Sequence, residues 1–368
     1  MSEMNRVDPM IAADWIADDW IADDVLLKVD HLCQYFKINK AVDDVSFEIK
    51  KGEVFGLVGE SGCGKTTTGR SIIKLYDITD GNIYFKGRRI AAGVKSYRDK
   101  IRSLRAEIKK ADPARKAELQ QEIIHQRELI RSARMDHTAR ENRCVTEIQM
   151  IFQDPIASLD PRMTVYETIA EGLKIRGEKD KAVIDEKVFR VLERVGLVRE
   201  HASRYPHEFS GGQRQRIGVA RAVVMEPELI IADEPVSALD VSIQAQVINL
   251  LNELRHDLGL TILFIAHDLS VVKYFSDRIG VMYYGKMVEL ATSDELFAHP
   301  LHPYTRALLS AIPLPDPNYE KNRVREKYNP LKAHDYSVDQ PTFREVSPGH
   351  FVMCNDAEYA RYLEEIKA

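Results

Sequence analysis

Cysteine and long apolar runs are both scarce in this sequence, and each absence excludes a class of protein. Only four cysteines occur among 368 residues, at the scattered positions 33, 63, 144 and 354. Such spacing fits neither a disulfide framework nor a metal-binding cluster. The strongly apolar runs, such as Leu260–Ala266, are far shorter than the roughly 20 residues that cross a bilayer. We therefore expect a protein of the reducing cytosol without a membrane-spanning helix.

Positive charge is also not in excess. The formal net charge is −5 and charged residues make up 30% of the chain, which does not indicate a nucleic-acid-binding protein. The first residues contain no basic segment followed by an apolar core, so no secretory signal is expected. A length of 368 residues suits one large α/β core with extensions.

The segment Gly59–Thr66 reads GESGCGKT and matches the phosphate-loop pattern G-x-x-x-x-G-K-[ST] at every required position. The apolar run Val54–Val58 before it predicts a buried parallel strand, and Thr66–Leu75 after it predicts a helix. Glycines let the backbone point its N–H groups at phosphate oxygens, while Lys65 reaches the β- and γ-phosphates and the Thr66 hydroxyl binds Mg²⁺. The expected ATP-binding residues of the loop are Gly59, Ser61, Gly62, Cys63, Gly64, Lys65, Thr66 and Thr67.

A second glycine-containing motif, Phe209–Arg216, reads FSGGQRQR. Ser210 and the two glycines after it are predicted to lie at the start of a helix, where backbone N–H groups are free to meet an anion. The phosphate loop already serves the nucleotide of the chain itself. This second anion site is therefore predicted to serve the nucleotide of a partner subunit.

These motifs, together with LIIADEP at Leu229–Pro235, closely resemble those of ATP-binding cassette (ABC) proteins. In that family two cassettes sandwich ATP, and neither makes a complete site alone. The resemblance implies an α/β P-loop NTPase fold of the ABC type, with an antiparallel β-subdomain, a helical subdomain and a C-terminal extension. It implies that the nucleotide of the partner is contacted by Ser210, Gly211, Gly212 and Gln213.

Further positions match the pattern of the family around the phosphates. Asp233 ends an apolar strand, where a carboxylate can hold Mg²⁺ through water, and Glu234 after it is placed as general base for the attacking water. The resemblance makes Gln153 the Q-loop glutamine, which senses Mg²⁺ and water, and His267 the switch histidine that contacts the γ-phosphate. Asp240 belongs to the D-loop, which crosses the dimer interface. The expected catalytic residues are Glu234, His267 and Gln153, and the expected Mg²⁺ ligands are Thr66, Gln153 and Asp233.

An aromatic side chain upstream of the phosphate loop is expected to stack on adenine. Base–aromatic stacking is worth roughly 1–3 kcal/mol and tolerates any base. Phe36 has the better offset from the loop, and Tyr35 is the alternative.

An acidic repeat occupies residues 11–25, where IAADW, IADDW and IADDV follow one another. Its five-residue period distributes apolar side chains around a helix rather than along one face. We expect an acidic, loosely ordered extension over residues 1–24. The alternative is a docking segment that uses Trp15 and Trp20.

Residues 96–143 contain two apolar stripes at helical spacing. The stripes consist of Ile101, Leu104, Ile108, Leu119, Ile123 and Ile130. Between them, Asp112 is suited to be an N-cap and Pro113 to the first helical position. The sequence predicts an antiparallel helical hairpin with Arg and Lys on its outer faces. Because family members usually connect this point more directly, the simplest interpretation is a solvated, passive insertion.

The segment HPLHPYTRALLSAIP at residues 299–313 resembles the extension on ATPase subunits of oligopeptide and dipeptide importers, and PVSALDVS with SGGQ resembles their F-type subunit. The expected domains are then an ABC ATPase domain over 25–290, with a helical subdomain at 159–206, and a C-terminal extension over 291–368. Some relatives hold an iron–sulfur centre in this tail, but with only Cys354 present here none is expected.

The resemblance implies an ATPase subunit at the cytoplasmic face of the cell membrane, working with ATP and Mg²⁺. Its implied partners are a second ABC ATPase (a D-type paralogue or a second copy), two membrane permeases and, indirectly, an external peptide-binding protein. An importer of nickel or another small solute is the main alternative. A soluble ABC protein is disfavoured by the single cassette and the short hairpin, and a P-loop kinase has no need of SGGQ.

Overall fold

Two β-sheets and their covering helices make up the part of the chain that the structure, a computed structural model, describes: residues 22–139, 144, 146–312, 327–337 and 339–367. The strands are β1 Val25–Phe36, β2 Asn39–Lys50, β3 Val54–Val58, β4 Asp80–Phe85, β5 Arg88–Ala92, β6 Ile148–Ile151, β7 Leu229–Asp233, β8 Thr261–Ala266, β9 Arg278–Tyr283, β10 Lys286–Thr292, β11 Thr342–Ser347 and β12 His350–Cys354. The helices are α1 Lys65–Ile72, α2 Lys95–Ile108, α3 Pro113–Thr138, α4 Val165–Arg176, α5 Lys181–Arg194, α6 Gly211–Val223, α7 Val241–Leu258, α8 Leu269–Phe275, α9 Ser293–Ala298, α10 Pro303–Ser310, α11 Pro330–Ala333 and α12 Asp356–Lys367. Within these residues, no helix combines the length and the apolar composition that crossing a membrane requires.

The larger sheet has the strand order β11-β12-β10-β9-β3-β8-β7-β6. Strands β6, β7, β8, β3 and β9 run parallel to one another, and β9 pairs antiparallel with β10. Every residue of β3 and β7 is buried, as their continuous apolar sequences predict for a sheet covered on both faces. Because the carboxyl ends of parallel strands meet at one edge, the loops after β3, β7 and β8 converge there.

The smaller sheet, in the order β2-β1-β4-β5, is antiparallel and confirms the expected β-subdomain. It packs on the larger sheet through a shared apolar cluster that includes Leu27, Phe47, Phe55 and Leu57. The rings of Phe47 and Phe55 stack with centroids 5.0 Å apart. This contact seats the smaller sheet on β3, the strand that leads into the phosphate loop.

The helical region that follows β6 is built on α4 and α5. A capping box starts α4, with Thr164 and Glu167 each satisfying a backbone N–H of the other. Val188, Leu192 and Val195 are fully buried, so the apolar face predicted from the sequence is the one that packs inward. Short 3₁₀ turns at Arg199–Ser203 and Pro206–Glu208 then lead toward α6.

The predicted helical hairpin is present as α2 and α3. Asp112 caps α3, its side chain accepting a hydrogen bond from the backbone N of Arg115 at 3.0 Å, and Pro113 is the first helical residue. The two helices share a small apolar cluster of their own, formed by Ile101, Leu104, Leu119 and Ile123 with Ile108, Ala111 and Ile130 at its margin. Residues 140–143 of the predicted insertion lie outside the described residues.

Part of the C-terminal extension joins the larger sheet. Strand β12 pairs antiparallel with β10, and β11 pairs with β12. Tyr362 of α12 packs with Val346, Val352, Cys354 and Leu301 in a separate apolar cluster. The extension is therefore attached to the edge of the ATPase sheet by backbone hydrogen bonds as well as by side chains.

One predicted boundary is wrong. The helix predicted over Thr66–Leu75 ends at Ile72, because Lys74 adopts a left-handed conformation with φ 61° that cannot continue a right-handed helix. Residues 11–21 of the N-terminal repeat, which include Trp15 and Trp20, lie outside the described residues.

Candidate nucleotide-binding and hydrolysis site

The phosphate loop between β3 and α1 requires glycine at two of its positions. Gly59 and Gly64 have φ values of 149° and 108°, which L side chains rarely adopt. A Cβ on Gly59 would lie 2.2 Å from the carbonyl oxygen of Met282, and one on Gly64 would lie 2.3 Å from that of Ala41. The loop is therefore wedged between the smaller sheet and the end of β9, which fixes the backbone that would hold phosphate.

Lys65 is the first residue of α1 and is 4% exposed. Its ammonium donates to the carbonyl oxygens of Gly59 at 2.7 Å and Glu60 at 2.9 Å. The charge is thus held at the start of a helix, where free N–H groups already favour an anion. Cys63 beside it is buried, and burial raises the pKa of its thiol, which keeps a competing negative charge out of the loop.

The loop residues predicted to bind nucleotide differ in exposure. Ser61 and Gly62 are exposed at the tip, whereas Thr66 and Thr67 are half-buried at the start of α1. The buried Lys65 begins α1 and lies between the exposed tip and these threonines in sequence.

Thr66 and Asp233 form a direct contact that fits a cation site. The Thr66 hydroxyl donates to Asp233 Oδ1 at 2.7 Å. Asp233 is fully buried, and its other carboxylate oxygen, Oδ2, has no hydrogen-bond partner. Burial raises the pKa of this carboxyl, because the interior disfavours its charged form, and the Thr66 hydrogen bond opposes the shift. A hydroxyl beside an unsatisfied carboxylate oxygen is the kind of oxygen pair that Mg²⁺ takes when it is bound together with substrate phosphates.

The three residues predicted to be catalytic meet at a single atom. Gln153 Nε2 donates to Glu234 Oε2 at 3.0 Å, and His267 Nδ1 lies 3.2 Å from the same oxygen. Glu234 has φ 44°, a strained conformation for a residue with a side chain, and its backbone N donates to the carbonyl of Ile265 on β8 at 2.9 Å. The turn after β7 thereby aims the carboxylate at the strand edge, where the loops converge.

The first residues of the Phe209–Arg216 motif lie at the start of α6, and the hydrogen bonds of Ser210 stay within the first turn. Ser210 caps the helix: its hydroxyl accepts from the Gln213 backbone N at 3.4 Å, and Gln213 Oε1 accepts from the Ser210 backbone N at 3.1 Å. Ser210 and Gly211 are exposed. Gly212 faces α7, since a Cβ there would lie 2.5 Å from Ile243 Cγ2.

The D-loop lies next to this segment. Asp240 is the exposed residue that precedes α7, and its side chain makes no capping hydrogen bond. Gly211 also approaches this loop, since a Cβ on it would lie 3.5 Å from Leu239. The first turn of α6 and the D-loop therefore form one continuous exposed surface.

The two candidate adenine-stacking rings are in different environments. Phe36 is 41% exposed and meets Tyr76 edge to face with centroids 5.2 Å apart. Tyr35 is half-buried, its hydroxyl donates to Asp43, and Lys40 lies over its ring. Phe36 is the freer of the two rings, and its role stays a prediction.

Two features near the site had no signal in the sequence. The hydroxyl of Tyr304, on α10 of the C-terminal extension, accepts a hydrogen bond from the Glu60 backbone N of the phosphate loop at 3.0 Å. Beside Gln153, an open groove of about 390 Å³ is lined mainly by residues of β6, α4, α6 and the end of α1, together with Phe152. Both depend on residues that are far apart in the chain, which no local motif records.

Comparison with known proteins gives two family matches. Residues 42–237 match a family described as ABC transporter, and residues 288–337 match one described as oligopeptide/dipeptide transporter, C-terminal region. The oligopeptide transport ATP-binding protein OppF of Bacillus subtilis (strain 168) is 56% identical over 342 residues, covering 92% of this chain and 98% of the relative. The dipeptide transport ATP-binding protein DppF of Lactococcus lactis subsp. cremoris is 49% identical, covering 88% of this chain and 90% of the relative.

Solved structures share the fold. CbiO1 from Clostridium perfringens, described as part of the ABC transporter complex cbiONQ, is 26% identical with a TM-score of 0.55 and covers 75% of this chain and 91% of that chain. A dimeric ATP-binding cassette bound to ADP and Pi is 24% identical with a TM-score of 0.54, covering 73% of this chain and 99% of that chain. At 24% identity, the likeness to this dimeric cassette shows a shared fold alone.

Proposed function

Because the chain belongs to the ABC transporter family, we propose that it is the subunit that binds and hydrolyses ATP to power an importer of oligopeptides or dipeptides. The observation that carries the ATPase function is the meeting of Gln153 and His267 on one carboxylate oxygen of Glu234. The match of residues 288–337 to a peptide-transporter region and the names of the relatives support peptide as the cargo.

ATP binding begins at the phosphate loop. Two of the three ammonium donors of Lys65 meet the carbonyls of Gly59 and Glu60, which holds the charge where it makes charge-assisted bonds to the β- and γ-phosphates. Phe36 stacks on the adenine from the smaller sheet. Thr66, Asp233 and Gln153 would hold Mg²⁺, which neutralises phosphate charge when it is bound with the nucleotide.

Hydrolysis is assigned to Glu234 as general base. Its carboxylate accepts a proton from the water that attacks the γ-phosphate, a role typically worth roughly 10²–10⁴ in rate. Gln153 and His267 fix the direction of that carboxylate by bonding the same oxygen. His267, about half exposed, is placed to turn toward the γ-phosphate once ATP is bound.

The surface of Ser210, Gly211, Gly212, Gln213 and Asp240 is assigned to the ATP of a second cassette. Its helix start offers N–H groups to an anion, and exposure of Ser210 and Gly211 leaves them accessible to a partner. Hydrolysis is then a property of two cassettes together, whether the partner is a paralogue or a second copy.

Coupling to the membrane is assigned to the groove beside the Q-loop. Its lining joins the helical region to the sheet, through Gly172 and Ile175 of α4, Arg221 of α6 and Phe152 next to Gln153. Ile175 is 71% exposed, an apolar side chain that a permease segment would cover. A subunit held there by two permeases lies at the cytoplasmic face of the membrane, and an external binding protein selects the peptide.

Uptake measurements test this function and its cargo. In a strain that lacks this protein, we expect the wild-type chain to restore uptake of a labelled tripeptide and the Lys65→Ala chain to fail. Uptake of radioactive nickel is the matched control and should not depend on the chain. Restored nickel uptake without restored peptide uptake would overturn the cargo assignment.

A further inference from the structure

The C-terminal extension touches the phosphate loop at one peptide group. The Tyr304 hydroxyl accepts from the Glu60 N–H at 3.0 Å, and the carbonyl of the same peptide group, that of Gly59, accepts from Lys65 Nζ at 2.7 Å. Tyr304 is 1% exposed. A single peptide unit of the loop is thus held from one side by the extension and from the other by the lysine that binds phosphate.

The position of Tyr304 is itself fixed by buried groups. Glu289 on β10, fully buried, accepts from the backbone N of Leu301 at 2.8 Å and of His302 at 3.1 Å, and His350 Nε2 of β12 lies 2.9 Å from the same carboxylate. His302 caps α10 by accepting from the Tyr304 backbone N at 3.1 Å. Burial lowers the pKa of His302 to about 3, so its ring stays neutral and keeps the lone pair that this cap requires.

The ring of Tyr304 and its hydroxyl have separate roles. The ring packs against Tyr283 and Tyr328, with centroids 4.4 Å and 5.5 Å away. The Tyr328 hydroxyl is bonded instead to His334 Nε2 at 2.9 Å. Removing either hydroxyl leaves the ring packing in place, but only the Tyr304 hydroxyl bonds the phosphate loop.

We propose that Tyr304 is a positioning residue for ATP binding, through which the C-terminal extension holds the Gly59–Glu60 peptide group and with it the phosphate-binding geometry of Lys65. The proposal rests on the assignment of the loop to ATP. It makes the extension part of the nucleotide site, although its residues lie about 240 positions from the loop in sequence. Because the bond is present before phosphate arrives, it acts on ATP binding rather than on the chemical step.

Paired tyrosine variants test the proposal. In Tyr304→Phe we expect the Kd and KM for ATP to rise roughly fivefold, the loss of one hydrogen bond of ~1 kcal/mol, with kcat changed little because such a bond serves ground state and transition state alike. Tyr328→Phe, which removes a hydroxyl from the same aromatic cluster, should leave the Kd unchanged. An unchanged Kd in Tyr304→Phe, or an equal rise in both variants, would overturn the proposal.

A measurement on the wild-type chain keeps the test independent of how the variants fold. Because Tyr304 contacts the loop, binding of ATP should slow hydrogen exchange in peptides covering residues 299–310. Unaltered exchange there, with ATP shown to be bound by slower exchange at residues 59–66, would contradict the proposed coupling. Slow exchange at both segments together with failed peptide uptake would reject the cargo while leaving this proposal intact.

Discussion

The helix starts at α1 and α6 both suit phosphate, but one is enclosed by the protein and the other is exposed. The one at α1 is enclosed: Lys65 is bonded to its own loop and Thr66 is bonded to Asp233. The one at α6 is open: Ser210 and Gly211 are exposed, and the hydrogen bonds of Ser210 stay within the first turn. The difference supports the proposal that this chain carries the binding half of one nucleotide site and the closing half of another.

The largest expected effect comes from the enclosed half. Glu234→Gln keeps the size of the side chain but removes its basicity, so ATP should still bind while turnover falls by roughly 10²–10⁴. Single-turnover phosphate release from the assembled cassettes measures the change, and the variant should accumulate a closed, ATP-bound dimer. Hydrolysis at the wild-type rate would move the base elsewhere, with His267 as the next candidate.

The exposed helix start at α6 should also affect turnover, but at the nucleotide site of the partner. Ser210→Arg places a bulky cation at the exposed start of α6, so the site built around the partner's phosphate loop should lose roughly 10²–10³ in kcat, as when a preorganised donor is lost. ATP affinity of this chain should not change. Two mixed assemblies assign the loss to one site. In the first, the Ser210→Arg chain is combined with a wild-type partner, and in the second, the wild-type chain is combined with a partner that carries the equivalent substitution.

The chain on its own, without a partner cassette, tests whether hydrolysis requires both halves. The chain alone should hydrolyse ATP slowly and gain activity steeply when its partner cassette and permeases are added. If a strictly monomeric preparation turned over ATP as fast as the full complex, the proposal of a nucleotide site shared between two cassettes would be wrong.

Lys65→Ala should act on binding itself. Losing a charge-assisted bond to phosphate costs about 1.5–3 kcal/mol, so the Kd for ATP should rise about 10- to 150-fold. Lys51→Ala, which removes an exposed lysine, is the matched control and should bind ATP normally. Equal affinities in the two variants would mean that the phosphates do not reach Lys65.

The sequence correctly predicted the features that depend on residues close together in the chain. The phosphate loop, the helix start at Ser210 and the helix restart at Asp112 and Pro113 depend on residues a few positions apart, and the structure has each of them. The motif pattern also identified Glu234, Gln153 and His267 as one group, although their roles stay predictions. No spacing rule joins residues 33 and 81 positions away from Glu234, so that grouping came from resemblance to a family.

What the sequence did not predict depends on the path of the chain. The pairing of β12 with β10 and the bond from Tyr304 to the loop arise only when the extension folds back along the sheet edge. The early end of α1 at Ile72 depends on the left-handed Lys74, a conformation that lysine seldom takes. These features are set by tertiary packing, which overrides local preference.

The smallest effect is expected from the hairpin, which belongs to neither half. Its apolar residues pack on one another, and Arg89 of β5 fastens α3 by bonding Asp136 at 2.7 Å and Ser132 at 2.9 Å. Replacing residues 96–143 by a glycine–serine link should therefore leave the Kd for ATP within about twofold, as for a surface change. Loss of folding or of affinity would show that the hairpin supports the core. If peptide uptake were lost while ATPase activity stayed intact, the basic face of the hairpin would be a contact surface for a partner. Replacing Arg98, Arg102 and Arg105 by Gln would then reproduce the loss without removing the helices.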